Sequence, residues 1–194
     1  MLILASTSPY RRDLLERLGV DFRAVAPEYE EEHDLGLPPD RLVVELAARK
    51  ARSLAGRFPR DLIIGCDQVA ELDGRILLKP GSIERAKAQL KELSGRTHRL
   101  LTGLAVFQPA TGRLETALDV HHMTLRDLTD EEIGSFVESE KPLDCAGAYK
   151  VEGPGIALFE SLSGDDYTGI IGLPLTKLVG LLKRFGQAEW RHLT

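Results

Sequence analysis

The sequence predicts an α/β fold, because short apolar runs typical of strands alternate with longer segments whose apolar residues recur at helical spacing. Residues 2–5 form an apolar run, and residues 9–18 follow it with the pattern of a helix. Residues 40–58 continue with a second helical pattern, and residues 62–66 form another almost wholly apolar strand. This alternation is typical of helices packed on the faces of a sheet.

The remaining segments continue the alternation along the chain. The expected elements are an extended segment over 22–26, a short strand over 76–78, a helix over 83–93, two hairpin strands over 98–108 and 113–125, a helix over 130–138 that Thr129 caps, a strand near 156–162 and a last helix over 174–184. Neither a repeat nor a long linker separates them. We therefore expect a single domain over residues 1–194, with at most two lobes around a shared sheet.

Composition and charge exclude several classes of partner. With 43% hydrophobic residues the 194-residue chain can form one sizeable core, and its net charge of −5 argues against nucleic acid or an anionic membrane as a partner. Cys66 and Cys145 show neither metal-ligand spacing nor a disulfide framework, which favours a reducing compartment. The N-terminal apolar run is too short for a signal peptide, and no segment approaches the roughly 20 apolar residues of a membrane span. We expect a cytoplasmic protein.

A hydroxyl-rich turn after the first strand is a candidate phosphate-binding site. Ser6 supplies a hydroxyl donor, and Arg11 and Arg12 supply two adjacent guanidiniums at a helix start, whose free N–H groups also favour an anion. The alternative is that Ser8 only caps the helix, with Pro9 in its first turn, and that both arginines are solvated. The chain contains no Gly-rich P-loop motif.

Acidic residues at two places are candidates for catalysis or a metal site. Asp67 follows the apolar strand over 62–66, so we expect it at the carboxyl edge of that strand, where α/β sheets bind ligands. A buried carboxylate needs a cation or a hydrogen-bond donor, and Lys79 is the cation that the next short strand offers. Five carboxylates between residues 28 and 34 offer hard oxygen ligands for Mg²⁺ or Mn²⁺. The alternative for each group is a solvated loop or a surface ion pair.

Six blocks of sequence occur in one order along almost the whole chain. They are LASTSPYRR at 4–12, IGCDQV at 64–69, LKP at 78–80, LSGRT at 93–97, AGAYKVEG at 146–153 and GLPL at 172–175. Together these blocks resemble the Maf family of nucleoside triphosphate pyrophosphatases. The resemblance implies an elongated, twisted mixed sheet flanked by helices, in two lobes around a central cleft as in inosine triphosphatases, and a homodimer.

The family resemblance also implies an activity and a set of site residues. The expected reaction cleaves a nucleoside triphosphate between its α and β phosphates, which releases the monophosphate and pyrophosphate, with Mg²⁺, Mn²⁺ or Co²⁺ as the divalent cation. Asp67 would accept a proton and, with Glu31, hold the metal ion, while Lys79 would neutralise charge. The phosphate-binding residues that the resemblance implies are Ser6, Arg11, Arg12 and Lys50.

Three positions associated with substrate choice resemble the branch of the family that hydrolyses 7-methyl-GTP in a nucleotide house-cleaning role. They are Tyr10, Gln68 and Glu152, although Trp is more usual than Tyr at the first. Methylation at N7 makes the guanine ring cationic, so that Tyr10 can stack on it and Glu152 can accept from its N1–H and amino group. The alternatives are a dTTP/UTP or broader non-canonical pyrophosphatase, and a nucleotide-binding inhibitor of septum formation.

Overall fold

A computed structural model describes residues 1–29 and 35–187 of the protein. The strands are β1 (Leu2–Ala5), β2 (Phe22–Val25), β3 (Leu62–Leu72), β4 (Arg75–Leu77), β5 (Thr97–Gln108), β6 (Arg113–Leu125) and β7 (Phe159–Ser163). The α-helices are α1 (Pro9–Glu16), α2 (Pro39–Ser53), α3 (Ile83–Leu93), α4 (Asp130–Glu140), α5 (Tyr167–Ile171) and α6 (Leu175–Arg184). Two short 3₁₀ helices span Ala146–Ala148 and Pro154–Leu158.

The strands form a mixed sheet in the order β2-β1-β3-β5-β6-β7, and β4 pairs with β3 outside this path. The pairings of β1 with β2 and with β3 are parallel, whereas β3 with β4 and β6 with β7 are antiparallel. The α/β class and the mixed sheet are therefore confirmed.

The chain divides into two compact units. The first comprises Met1–Gln68, Thr102–Asp119 and the described chain from Asp166 onward, and the second comprises Val69–Leu101 and Val120–Asp165. Three strands, β3, β5 and β6, contribute residues to both units. The single domain over 1–194 and the two lobes around a cleft stay predictions.

In the first unit, β1 is buried on both faces. Leu4 belongs to the cluster that includes apolar residues of α1 and α6, whereas its neighbour Ile3 belongs to the cluster formed with α2. Successive side chains of a strand point to opposite faces of the sheet, so a strand covered on both faces needs a continuous apolar run. The run over residues 2–5 meets that requirement.

The observed elements differ from the sequence expectations at several ends. β3 continues to Leu72 rather than ending at Cys66, because its distal residues are buried and pair with β4. The second helix ends at Ser53, three residues before Gly56, and the strand expected near 156–162 begins only at Phe159 because Pro154 starts a 3₁₀ turn. The short helix α5 was not expected from the sequence.

The second unit contains an aromatic cluster in which His98 and Tyr149 are buried and Phe159 is half-buried. The rings of His98 and Tyr149 are 5.5 Å apart, and those of Tyr149 and Phe159 are 4.8 Å apart, both in edge-to-face arrangements. His98 Nε2 and Tyr149 Oη lie 2.6 Å apart in a hydrogen bond. Burial lowers the pKa of His98 to about 4 and raises the pKa of Tyr149, so both side chains are neutral at pH 7.

Across the described parts of the chain, we find no helix with the length and apolar character that crossing a bilayer requires. The cytoplasmic location stays a prediction.

Candidate active site

The turn between β1 and α1 is organised by two serine hydroxyls. Ser6 is 6% exposed, and its Oγ accepts a hydrogen bond from the Ser8 N–H at 3.1 Å. Ser8 is the N-cap of α1, and its Oγ accepts from the Arg11 N–H at 3.4 Å, with Pro9 in the first turn. The capping role considered for Ser8 is therefore confirmed. Phosphate binding by Ser6 stays a prediction.

The two adjacent arginines have different environments. The guanidinium of Arg11 is half-buried and donates through Nε to the Gly172 carbonyl at 3.0 Å and through Nη1 to the Cys66 carbonyl at 2.9 Å. Arg12 is exposed and donates to Glu16, one turn further along α1, at 3.2 Å. A guanidinium carries five N–H donors, so Arg11 retains donors for an anion after both of these contacts.

Asp67 pairs with a lysine of α2. Lys50 Nζ lies 2.6 Å from Asp67 Oδ1, and the two side chains are each 6% exposed. The sequence offered Lys79 as the cation for Asp67, but the contact observed is with Lys50. A short, buried, charge-assisted hydrogen bond of this kind fixes the orientation of the carboxylate.

The position of Asp67 along its strand also differs from the expectation. Because β3 continues to Leu72, Asp67 lies within β3 and not at its carboxyl end. The parallel partner β1, however, pairs only as far as Ala5 with Gly65. Asp67 therefore lies just beyond the carboxyl end of β1, and the expected sheet edge belongs to the neighbouring strand.

The second carboxylate oxygen of Asp67, Oδ2, is a candidate ligand for the expected metal ion. Asp67 Oδ2 is buried, and within residues 1–29 and 35–187 it has no hydrogen-bond partner. A buried carboxylate oxygen without a donor is a suitable ligand for a hard divalent cation. The described residues contain no group of three metal-ligating side chains, and Glu31 lies outside them. The donor chemistry thus fits a cation with Asp67 as one protein ligand.

The Gln68 side chain is held by groups that the sequence did not point to. Its Nε2 lies 2.9 Å from the Thr102 hydroxyl, 2.8 Å from the Gly169 carbonyl and 3.2 Å from the Ile170 carbonyl. Thr102 itself donates to the Gly169 carbonyl at 3.1 Å. Every residue has a backbone carbonyl, so the sequence does not show which carbonyls accept from Gln68. The one sequence feature near these carbonyls is the GLPL block, which begins at Gly172.

Cys66 is a neutral donor in this site. Its Sγ donates to the Gly172 carbonyl at 3.0 Å, and burial raises the pKa of its thiol, which opposes formation of a thiolate. The geometry therefore favours chemistry in which water, and not this sulfur, attacks the substrate.

The remaining predicted site residues lie on the surface. Tyr10 is 42% exposed on α1, in the first unit. Lys79 and Glu152 are exposed residues of the second unit: Lys79 follows β4, and Glu152 lies in the turn before Pro154. The contacts described above form two groups in the first unit: Lys50 pairs with Asp67, while Arg11 and Gln68 both contact the backbone of residues 169–172. The roles of all the site residues stay predictions.

Comparison with known proteins identifies relatives over almost the whole chain. Residues 1–185 match the family described as Maf-like protein. A 7-methyl-GTP pyrophosphatase of Syntrophotalea carbinolica is 49% identical over 187 residues, which cover 96% of this chain and 95% of that protein. Proteins of the same name from Pseudomonas aeruginosa and Pseudomonas putida are each 48% identical over 185 residues, which cover 95% of this chain and 96% of each relative.

A solved structure supports the fold alone. The HAM1 protein of Coxiella burnetii superposes with a TM-score of 0.54 at 14% sequence identity, covering 94% of this chain and 98% of that one. At this identity the likeness carries no information on substrate.

Proposed function

The chain belongs to the Maf family, and we propose that it hydrolyses a modified nucleoside triphosphate, 7-methyl-GTP, to the nucleoside monophosphate and pyrophosphate. Relatives at 48–49% identity over nearly their full length carry the name 7-methyl-GTP pyrophosphatase. The residues Tyr10, Gln68 and Glu152 that resemble that branch of the family support the same substrate.

One structural observation carries the proposal of a hydrolytic role for Asp67. Its carboxylate is buried and is held through Oδ1 by Lys50, while Oδ2 has no donor among the residues described. Because a buried carboxylate oxygen without a partner is costly, we expect a cation or a water molecule to bind this atom. A fixed, available carboxylate oxygen is what acceptance of a proton from water requires.

In the proposed reaction, Asp67 accepts a proton from a water molecule whose oxygen forms a bond to the phosphorus of the α phosphate. The bond between that phosphorus and the oxygen bridging to the β phosphate breaks, and pyrophosphate leaves with the electron pair of that bond. Arg11, with the N–H groups not used by backbone carbonyls, and Arg12 and Lys79 offset the negative charge on the departing oxygens.

We propose a divalent cation, Mg²⁺, Mn²⁺ or Co²⁺, as the cofactor. Asp67 is the candidate protein ligand among the described residues, and Glu31 is the second candidate. A cation at one lone pair of Asp67 Oδ2 would leave its other lone pair for the proton of water. When bound, such a cation polarises the phosphate oxygens and reduces charge repulsion toward an attacking water. Turnover that persists after dialysis against a strong chelator would contradict this part of the proposal.

Pyrophosphate release across a panel of nucleotides tests the proposed function. The panel contains 7-methyl-GTP, GTP, dTTP, UTP and ITP, each with Mg²⁺ and with Mn²⁺. We expect the highest kcat/KM with 7-methyl-GTP. A preference for dTTP and UTP, or broad activity on other bases, would instead support one of the alternative pyrophosphatases.

Nucleotide binding without pyrophosphate release would contradict an enzymatic role and support a nucleotide-binding regulator of septum formation. Asp67→Asn provides the matched control, because a contaminating phosphatase would remain in that preparation. Activity that is equal in both preparations therefore does not belong to this protein.

We also propose a homodimer acting on a free nucleotide and not on nucleic acid, as the family resemblance implies. Sedimentation equilibrium tests the dimer, and a monomer throughout the micromolar range would contradict it.

A further inference from the structure

Asp166 is a buried carboxylate that joins two helices of the first unit. It is 4% exposed, and its Oδ1 accepts hydrogen bonds from the Thr168 N–H at 3.0 Å and from the Thr168 hydroxyl. Its Oδ2 accepts from the N–H and the hydroxyl of Thr176, both at 2.7 Å. These four bonds fill the acceptor positions of the carboxylate. Asp166 therefore ties the start of α5 to the start of α6.

The ionisation of Asp166 fits this arrangement. Burial acts to raise the pKa of Asp166, but the hydrogen bonds from Thr168 and Thr176 outweigh burial, and its pKa lies below the usual value. The carboxylate is thus ionised at neutral pH, as an acceptor of four hydrogen bonds must be.

The segment between the two threonines presents its carbonyl oxygens to candidate site residues. The Gly169 and Ile170 carbonyls accept from Gln68 Nε2, and the Gly172 carbonyl accepts from Arg11 Nε. Two side chains expected to contact the nucleotide are therefore held by one short stretch of backbone. Asp166 fixes both ends of that stretch.

These contacts determine which way the Gln68 amide faces. A carbonyl oxygen only accepts hydrogen bonds, so the side-chain nitrogen of Gln68, and not its oxygen, must face Gly169 and Ile170. The Gln68 side chain is half-buried, and among the described residues its Oε1 accepts no hydrogen bond. Gln68 therefore offers a ligand an acceptor and no donor.

We propose that Asp166 is a positioning residue for nucleotide selectivity. By holding residues 169–172 it keeps the Gln68 amide oriented so that Oε1 accepts from a donor of the nucleoside. The donor is an N–H group of the base or a ribose hydroxyl. This inference rests on the proposed function for its substrate, whereas the orientation of the amide is a property of the protein without ligand.

The first test is made without nucleotide, by measuring hydrogen exchange of the Gln68 side-chain amide by NMR. In wild-type protein this amide is expected to be protected by its carbonyl partners. Asp166→Asn replaces one carboxylate oxygen by an NH2 group, which opposes the donors of either Thr168 or Thr176, so we expect exchange about tenfold faster or more. Exchange at the wild-type rate in a folded variant would overturn the proposal whatever nucleotide the enzyme prefers.

The second test is a selectivity ratio, kcat/KM for 7-methyl-GTP divided by kcat/KM for the analogue that lacks the donor, which is either 7-methyl-ITP or the 2′-deoxy analogue of 7-methyl-GTP. Asp166→Asn and Gln68→Leu should each lower this ratio by about tenfold, and the double variant should lower it no further, because residues in one network are not additive. Multiplication of the two effects would overturn the proposal. Thr176→Val removes one hydroxyl of the network and replaces Asp166→Asn if that variant does not fold. An unchanged selectivity ratio in Thr176→Val would then overturn the proposal.

Matched controls separate positioning from general loss of stability. Glu71→Gln removes another buried carboxylate, which accepts from the Gly74 N–H and from Arg99, and Thr129→Val removes the hydroxyl that caps α4. Both residues belong to the second unit. These variants should lower the melting temperature and leave the selectivity ratio within twofold of wild type. A ratio that falls equally in the controls would overturn the assignment.

The donor on the nucleoside is identified with two substrate analogues. 7-methyl-ITP lacks the 2-amino group of the base, and the 2′-deoxy analogue of 7-methyl-GTP lacks one ribose hydroxyl. Gln68→Leu should lower kcat/KM for an analogue that keeps the group bound by Oε1. It should leave kcat/KM unchanged for the analogue that lacks this group. If the wild-type enzyme does not hydrolyse 7-methyl-GTP, the proposed function is wrong. The exchange rate of the Gln68 amide, which is measured without nucleotide, still tests the role of Asp166.

Discussion

Gly65 lies so close to Ala47 that a Cβ built on Gly65 would be 2.0 Å from the Ala47 carbonyl oxygen. Residues 65 and 67 share one face of β3, because strand side chains alternate, and residues 47 and 50 share one face of α2, because they are separated by about one helical turn. The close approach of α2 to β3 at Gly65 is therefore what allows Lys50 to reach Asp67 at 2.6 Å.

Substitution of Gly65 tests this relationship. Gly65→Ala should force α2 away from β3, destabilise the protein by about 3 kcal/mol and reduce turnover through displacement of Lys50. Denaturant unfolding and pyrophosphate release measure the two effects. Gly134→Ala is the control, because outside the local backbone of α4 no atom of the described residues lies within 4 Å of a Cβ at that position. It should stabilise the protein by about 0.5–1 kcal/mol, and wild-type turnover in Gly65→Ala would contradict the coupling.

Asp67→Asn should reduce kcat by about a thousandfold while nucleotide binding persists. The reason is that an amide cannot accept the proton of water, although its shape and its hydrogen-bonding oxygen are kept. Pyrophosphate release and equilibrium binding of a non-hydrolysable nucleotide measure the separation. Asp73→Asn makes the same chemical change in an exposed turn and should retain wild-type activity. Full turnover in Asp67→Asn would remove Asp67 from the mechanism.

The two arginines of α1 should respond differently to truncation. Arg11→Ala loses hydrogen bonds to two backbone carbonyls, so we expect a loss of stability on the order of 3 kcal/mol together with lower activity. Within residues 1–29 and 35–187, Arg12→Ala loses an exposed ion pair with Glu16 and no other contact, so its stability should change by less than about 0.5 kcal/mol while KM rises. Unfolding curves and steady-state kinetics distinguish the two. Equal destabilisation by both changes would contradict the structural difference.

Glu152→Gln should reduce discrimination in favour of the methylated, cationic base. The carboxylate can accept from the N1–H and 2-amino groups of 7-methylguanine and attract its positive charge, whereas the amide offers a donor in place of one acceptor. The measured quantity is the ratio of kcat/KM for 7-methyl-GTP to that for GTP. Glu160→Gln, at another exposed position of the second unit, is the control. An unchanged ratio in Glu152→Gln would exclude Glu152 from base recognition.

His98 should make stability fall in mild acid. Burial lowers its pKa from 6.5 to about 4 in the folded protein. Between these two pH values the unfolded chain binds a proton that the folded protein does not, so stability is full above pH 6.5 and decreases as the pH falls toward 4. Because one pKa unit corresponds to about 1.4 kcal/mol, the loss is on the order of 3 kcal/mol.

Denaturant unfolding at a series of pH values measures this loss. His98→Gln should reduce the dependence over that range, whereas His122→Gln, at an exposed position, should preserve it. The same slope in wild type and in His98→Gln would show that another group titrates.

The family could be predicted from the sequence, because six motifs resembled it and the family match confirmed that resemblance, whereas the roles of the site residues stay predictions. The partners within the site could not be predicted. Lys50 and Lys79 are both lysines near helix or strand ends, and nothing in their local sequence says which one contacts Asp67. The acceptors that hold Gln68 and Arg11 are backbone carbonyls, which every residue carries.

Elements whose signals lie in contiguous residues could be predicted before the fold was known. Hydrophobic periodicity predicted α3 and β6 with the bounds that are observed, and the capping residue Thr129 predicted the start of α4. Three features became visible only in the folded chain: Lys50 orients Asp67, β3 extends past Asp67, and Asp166 holds the segment that faces Gln68. Those outcomes depend on close approach between residues far apart in the chain, and local sequence patterns do not encode such distances.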